Sequence, residues 1–168
     1  EGQVTFSQNI TNPGFSGLAK AKQRPGDQWE QLEVRCVKLD DMIPNDVKID
    51  FIKIDVEGAE VMALTGAKEL ITRCKPGIIF ESAPEGAKAY GMTHRNIFDL
   101  FTQDLGYDIY FFKDFLEGNA PTDWERFDQA HRYPFAAFNF LGMPAKHRTQ
   151  HTETETLESA DSMETAKS

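Results

Sequence analysis

The chain has 168 residues, 40% of them hydrophobic and 11% aromatic, enough for one domain with a core of its own. Its 27 Asp and Glu against 18 Lys and Arg leave a net charge of -9, which argues against a nucleic-acid or anionic-membrane surface, because phosphate binding takes clustered cations. No apolar run approaches the roughly 20 residues needed to cross a bilayer, and there is no signal peptide, so the expected location is the cytoplasm. The two cysteines, Cys36 and Cys74, have neither metal-ligand spacing nor a disulfide framework around them.

Gln3–Ser7 alternates polar and apolar residues, as a half-buried strand does. Residues 8–29, rich in Gly, Pro, Asn, Lys and Gln, read as a long loop. Leu32–Leu39 alternates again and is expected to pair with the first strand. Asp40 then stands in a short turn as a candidate helix cap. Phe51–Val56 is a nearly continuous apolar run, typical of a parallel strand buried on both faces. Val61, Leu64, Ala67 and Ile71 recur at helical spacing, with Gly66 expected to interrupt the helix. Ile78–Phe80 forms the next buried strand, ending in Glu81. His94–Leu105 carries the helical stripe Ile97, Leu100, Phe101 and Leu105, and Gly106 sits where a C-cap glycine belongs. Asp108–Phe112 is a third strand, residues 113–132 a connection with no clear helix, and Phe135–Leu141 a fourth strand closed by Pro144. Residues 145–168 are rich in Thr, Glu and Ser and hold no aromatic residue. They bury too little apolar surface to offset their ordering entropy and are expected to be a disordered tail.

Strand, helix, strand makes a βαβ unit, which implies parallel strands and a right-handed crossover. Open α/β sheets bind ligands at the carboxyl ends of such strands. Asp55 and Glu57 end the first buried strand and Glu81 ends the second. Neighbouring strands lie about 4.8 Å apart, so Asp55 and Glu81 are expected to face one cleft. Gly58 permits a sharp turn, and the helix after it offers free N–H groups. Plainer readings stand beside these. Acidic residues suit the first turn of any helix, which accounts for Glu57 and Glu60. Lys53, inside the strand, is expected to pair with a carboxylate. His94 reads as a residue near a helix cap. The histidines His94, His131, His147 and His151 have no metal-binding spacing, no Ser-His-Asp or Cys-His set assembles, and no glycine-rich phosphate loop is present. No metal is expected.

The stretch Lys53-Ile54-Asp55-Val56-Glu57-Gly58-Ala59-Glu60, followed by Leu64, Gly66 and Ala67, resembles the signature of the FkbM family of S-adenosylmethionine-dependent methyltransferases. Val37-Lys38-Leu39-Asp40-Asp41, Pro76-Gly77-Ile78-Ile79-Phe80-Glu81, Gly106-Tyr107 and Asn139-Phe140-Leu141 extend the resemblance over residues 2–144. It implies the Rossmann-like α/β sheet of class I methyltransferases, whose last two strands form an antiparallel hairpin. The four long strands would be the fourth to seventh, with additional N-terminal strands before them, and Phe51–Val56 would lie at the sheet centre. The glycine-rich loop that ends the family's first strand, and the ribose-binding acid that ends its second, do not occur here. With no initiator methionine at Glu1, residues 1–144 are expected to be the C-terminal part of such a domain, inactive by itself.

The chemistry implied is S-adenosylmethionine-dependent methylation of a hydroxyl on a sugar or small natural product. Asp55 and Glu57 carry the catalytic roles, Asp55 first as base or acceptor-positioning group. Asp55 and Gly58 border the cofactor, and Glu81 and His94 shape the acceptor pocket. The partner is a small-molecule acceptor. The alternative is a non-catalytic α/β half-domain, an interaction or structural module that completes its sheet with another chain.

Overall fold

The computed structural model describes residues 2–18 and 24–145. Two eight-residue strands, β1 (Gly2–Asn9) and β2 (Trp29–Cys36), form an antiparallel pair with Gly2 opposite Cys36 and Asn9 opposite Trp29. The pairing is the expected one, although β2 stops at Cys36 rather than Leu39. The loop between them is closed by one carboxylate. Asp27 accepts from the side-chain amides of Asn9 and Asn12, both at 2.8 Å, and Asn9 is fully buried.

A short helix α1 (Leu39–Met42) precedes β3 (Phe51–Ile54). Helix α2 (Glu60–Thr65) and helix α3 (Lys68–Cys74) are separated at Gly66, as the sequence predicts. Asp40 is indeed a cap, but for a helix about thirty residues further on. Its carboxylate accepts from the backbone N–H groups of Glu69 (3.1 Å) and Leu70 (2.8 Å), two donors that no turn of α3 can satisfy. Asp40→Ala should therefore cost about 1 kcal/mol in a denaturation midpoint experiment. An unchanged midpoint would reduce this contact to an incidental one.

Strand β4 (Gly77–Glu81) follows, then α4 (Pro84–Lys88) and α5 (His94–Asp99), which passes into a π-helical segment over Leu100–Leu105. Gly106 ends it in the left-handed conformation at φ 70°. Next come β5 (Tyr107–Tyr110), α6 (Phe112–Glu117), α7 (Trp124–Ala130) and β6 (Asn139–Pro144). The expected helix-free connection over 113–132 thus holds most of α6 and all of α7. Asp123 caps α7 by accepting from the N–H of Arg126 at 2.9 Å. The fourth strand begins at Asn139 rather than Phe135, because Phe135 and Phe138 lie exposed in the approach to it.

The main sheet has the order β3-β4-β6-β5. Strands β3 and β4 are parallel, whereas β6 runs antiparallel to both β4 and β5. This is a mixed α/β fold of the kind methyltransferases use. Among the described residues β3 is the edge strand of this sheet, with Phe51 54% exposed, because no described strand pairs with its outer side. The core lies over β4 and β6. Phe80 stacks on Phe101 at 4.3 Å, and Phe127 packs on Phe140 at 4.6 Å, all four fully buried. Removing such rings from water supplies about 1.5–3 kcal/mol each. The tail expected to be disordered, beyond Ala145, lies outside the described residues. No helix among the described residues is long and apolar enough to cross a membrane.

Candidate functional site

The parallel register of β3 and β4 brings Ile54 beside Phe80, so the residues that leave the two strands emerge at one rim. One carboxylate oxygen each from Asp55, Glu57 and Glu81 lies within 4.8 Å of the other two. Asp55 and Glu81 therefore meet at one rim, as strand spacing predicts. Among the described residues this is where three such ligand atoms converge, and it is the position from which a cation or a shared proton could be held.

Three like charges so close oppose one another, and the chain manages this in two ways. Asp55 is tied back to Lys53 at 2.7 Å, the pairing expected for that lysine, although both side chains are about half exposed and the bridge is weak for that reason. Glu81 is shifted towards its protonated form. Burial first, then the charges of Asp55, Glu57 and Glu60, push its carboxyl from an ordinary value of 4.5 up to about 7. Burial and the neighbouring Asp55 also raise Glu57.

The loop that positions Glu57 is unusual. Glu57 has φ 52°, a left-handed conformation that costs a non-glycine residue about 1–2 kcal/mol. Gly58 follows at φ 100° and lies against Gly86 of α4 so closely that no side chain fits between them. Glu60, the first residue of α2, is buried and folds its carboxylate back onto this loop. One of its oxygens accepts from the N–H groups of Val56 (3.1 Å) and Gly58 (3.2 Å). Glu60 is thus the helix-start residue its position suggests. Its bonds go to the loop before α2 rather than to the first N–H groups of the helix itself.

Behind the rim lies a narrow crevice of about 10 Å³, room for a hydroxyl rather than a whole acceptor. Gly58, Glu60, Glu81, Ser82, Thr93 and His94 line it. His94 opens α5 after a Thr93 whose backbone N–H donates to the Asn96 side chain at 2.9 Å. It is no surface cap residue. Its Nε2 meets Asp128 of α7 at 2.7 Å, and only about a fifth of either side chain is exposed. A wider cavity, about 940 Å³, opens at the opposite end of the sheet beside Gly106, Tyr107 and Pro144. It holds none of the rim carboxylates.

Sequence reasoning missed Ser82, Gly86, Asp128 and His131 as parts of this region. Ser82 and His131 are buried and joined at 2.9 Å. Asp128 and His131, three apart on one helix face, were a legible signal, but only to a reader who had placed α7.

A parallel pair of strands with acidic exits, backed by an antiparallel hairpin of β5 and β6, defines an α/β protein of the methyltransferase type. Comparison with protein families makes this specific: the methyltransferase FkbM domain matches residues 2–109, and the chain belongs to that family. The match contains Asp55, Glu57, Gly58, Glu81 and His94 and stops before α7. No curated protein matches the chain, and no solved structure matches it. Methyltransferases of this family generally use S-adenosylmethionine.

Proposed function

We propose that the chain is the acceptor-side part of an S-adenosylmethionine-dependent O-methyltransferase acting on a hydroxyl of a sugar or small natural product. The observation that carries this is the convergence of Asp55, Glu57 and Glu81 at the carboxyl ends of two parallel strands, inside the family-matched region. A positively charged sulfonium is complementary to an acidic rim, so the donor set suits this cofactor. When bound, the cofactor supplies an electrophilic methyl group. Asp55 and Gly58 are the residues that would border it.

Asp55 and Glu57 would accept hydrogen bonds from the acceptor's hydroxyls and hold one of them in line for attack, a contribution of proximity and orientation. The backbone strain at Glu57 supports its role, because the chain holds a carboxylate at a position where glycine would be free of strain. Glu81, its carboxyl raised to about 7, would complete the acceptor pocket as a hydrogen-bond donor when protonated.

Calorimetric titration of S-adenosylmethionine tests the reading, performed on this 168-residue chain and on the chain extended by whatever its gene encodes upstream. The extended chain should bind and the shorter one should not, since the glycine-rich loop and ribose-binding acid of such enzymes do not occur in these residues. Binding by neither would favour the second reading, a non-catalytic half-domain whose exposed β3 edge pairs with another chain.

A further inference from the structure

We propose that His94 is the general base of the reaction, oriented by Asp128 and seated on His131, so that the base comes from α5 and α7 rather than from the carboxylate rim. This rests on the methyl-transfer reading and adds to it a proton acceptor that reading leaves open.

The geometry is that of a dyad. A carboxylate only accepts, so the 2.7 Å contact to Asp128 places the ring proton of neutral His94 on Nε2 and leaves the lone pair on Nδ1. Among the described residues Nδ1 makes no hydrogen bond, and the residue lines the crevice behind the rim. The ring is fixed on both faces. It stacks on Trp124 at 5.4 Å and on His131 at 4.5 Å, each within about 15° of parallel. A base needs a third group to orient it, and Asp128 is itself held by Arg132.

His131 has a defined state as well. Its Nδ1 donates to the carbonyl of Phe127 at 2.7 Å, so its Nε2 accepts from the hydroxyl of Ser82 at 2.9 Å. Burial holds its imidazole below the ordinary value, so it stays neutral beneath His94. When His94 gains a proton, Asp128 can balance the charge and His131 does not oppose it. Ser82 and His94 line the same crevice as Glu81. In the step itself, His94 Nδ1 takes the proton of the acceptor hydroxyl. The oxygen's freed electron pair forms the O–C bond to the methyl group, and the pair of the breaking S–C bond stays on sulfur.

The charged and titratable groups that face His94 are Asp128, His131 and Arg132 from α7 and its end, Arg95 across the Trp124 ring, and Glu60 and Glu81 across the crevice. Two measurements on the full-length protein decide the proposal. Nitrogen NMR of isotope-labelled histidine at neutral pH should show His94 protonated on Nε2, and Asp128→Asn should disturb that tautomer. Nδ1 protonation in the wild type, or a tautomer indifferent to Asp128→Asn, overturns the dyad whether or not any acceptor is methylated. In the second measurement, His94→Ala should lower methyl transfer from S-adenosylmethionine to methyl glucoside, used as the probe alcohol, by about 10²–10⁴-fold, with cofactor affinity unchanged. Added imidazole should restore part of the rate. Unchanged turnover, or a loss that imidazole leaves untouched, overturns the role of base. Failure of the wild type to bind S-adenosylmethionine would instead strike the methyltransferase reading, because the ring tautomer is read without cofactor.

Discussion

Replacing Gly58 with alanine should destabilise the protein by about 3–5 kcal/mol, a large part of the total stability of a domain this size. Two costs add. At φ 100° an L-residue with a Cβ is outside its allowed regions. The new Cβ would also stand 2.1 Å from the carbonyl carbon of Gly86 and 2.3 Å from its oxygen. Those are backbone atoms, so no side chain can swing aside and α4 itself must move. The reciprocal change separates the two costs. Gly86→Ala would place its Cβ 3.0 Å from the Gly58 backbone, tight but not impossible, and Gly86 has no positive φ. It should cost about 1–2 kcal/mol. Urea unfolding of the two variants is the check. A loss below about 1 kcal/mol for Gly58→Ala would mean that the contact between the rim loop and α4 is loose, and with it the placement of Glu57.

The glycine in the Asp55-Val56-Glu57-Gly58 run was visible in the sequence as a sharp turn, but its partner was not. Elements with strong local signals were legible: the β3 and β4 strands, the break at Gly66, the helical stripe from His94 and the cap at Gly106. Parallel pairing then sufficed to bring Asp55 and Glu81 to one rim, because strand spacing is nearly constant. The rest depends on distant partners. Helix α7 is short, and its cap at Asp123 is followed by a mixture of aromatic and charged residues rather than an apolar stripe. Without it, His94 has no visible orienter, since Asp128 lies a third strand and two helices further along the chain. Phe135–Leu141 reads as a strand by apolar content, yet the rings of Phe135 and Phe138 pack tilted on each other at 5.0 Å before the strand begins. Burial of β3 was expected from its apolar residues alone. It needs a neighbour on each side, which the described residues supply only through β4.

Glu81 should make the protein less stable as pH rises through neutrality, the reverse of the behaviour of an ordinary ion-paired carboxylate. In the unfolded chain this carboxyl releases its proton near its ordinary value of 4.5, whereas in the folded protein it holds the proton to about 7. Between these values the folded state binds more protons than the unfolded one, so stability falls with increasing pH. The contribution is fully present below about 4.5 and lost as the pH climbs through about 7. Glu57 is raised in the same direction and adds to the effect. Water still reaches the rim and screens its charges, so the loss from Glu81 should be about 1–2 kcal/mol. Glu81→Gln carries the neutral form at every pH. Thermal unfolding at about pH 5 should barely separate it from the wild type, while at about pH 8 the variant should be the more stable by about 1–2 kcal/mol. Asp55→Asn tests the cause, because removing that neighbouring charge should let Glu81 ionise more readily and flatten the wild-type slope. Parallel pH profiles for the wild type and Glu81→Gln would show that the three carboxylates do not share one field, and the acidic rim would then be three separate surface groups.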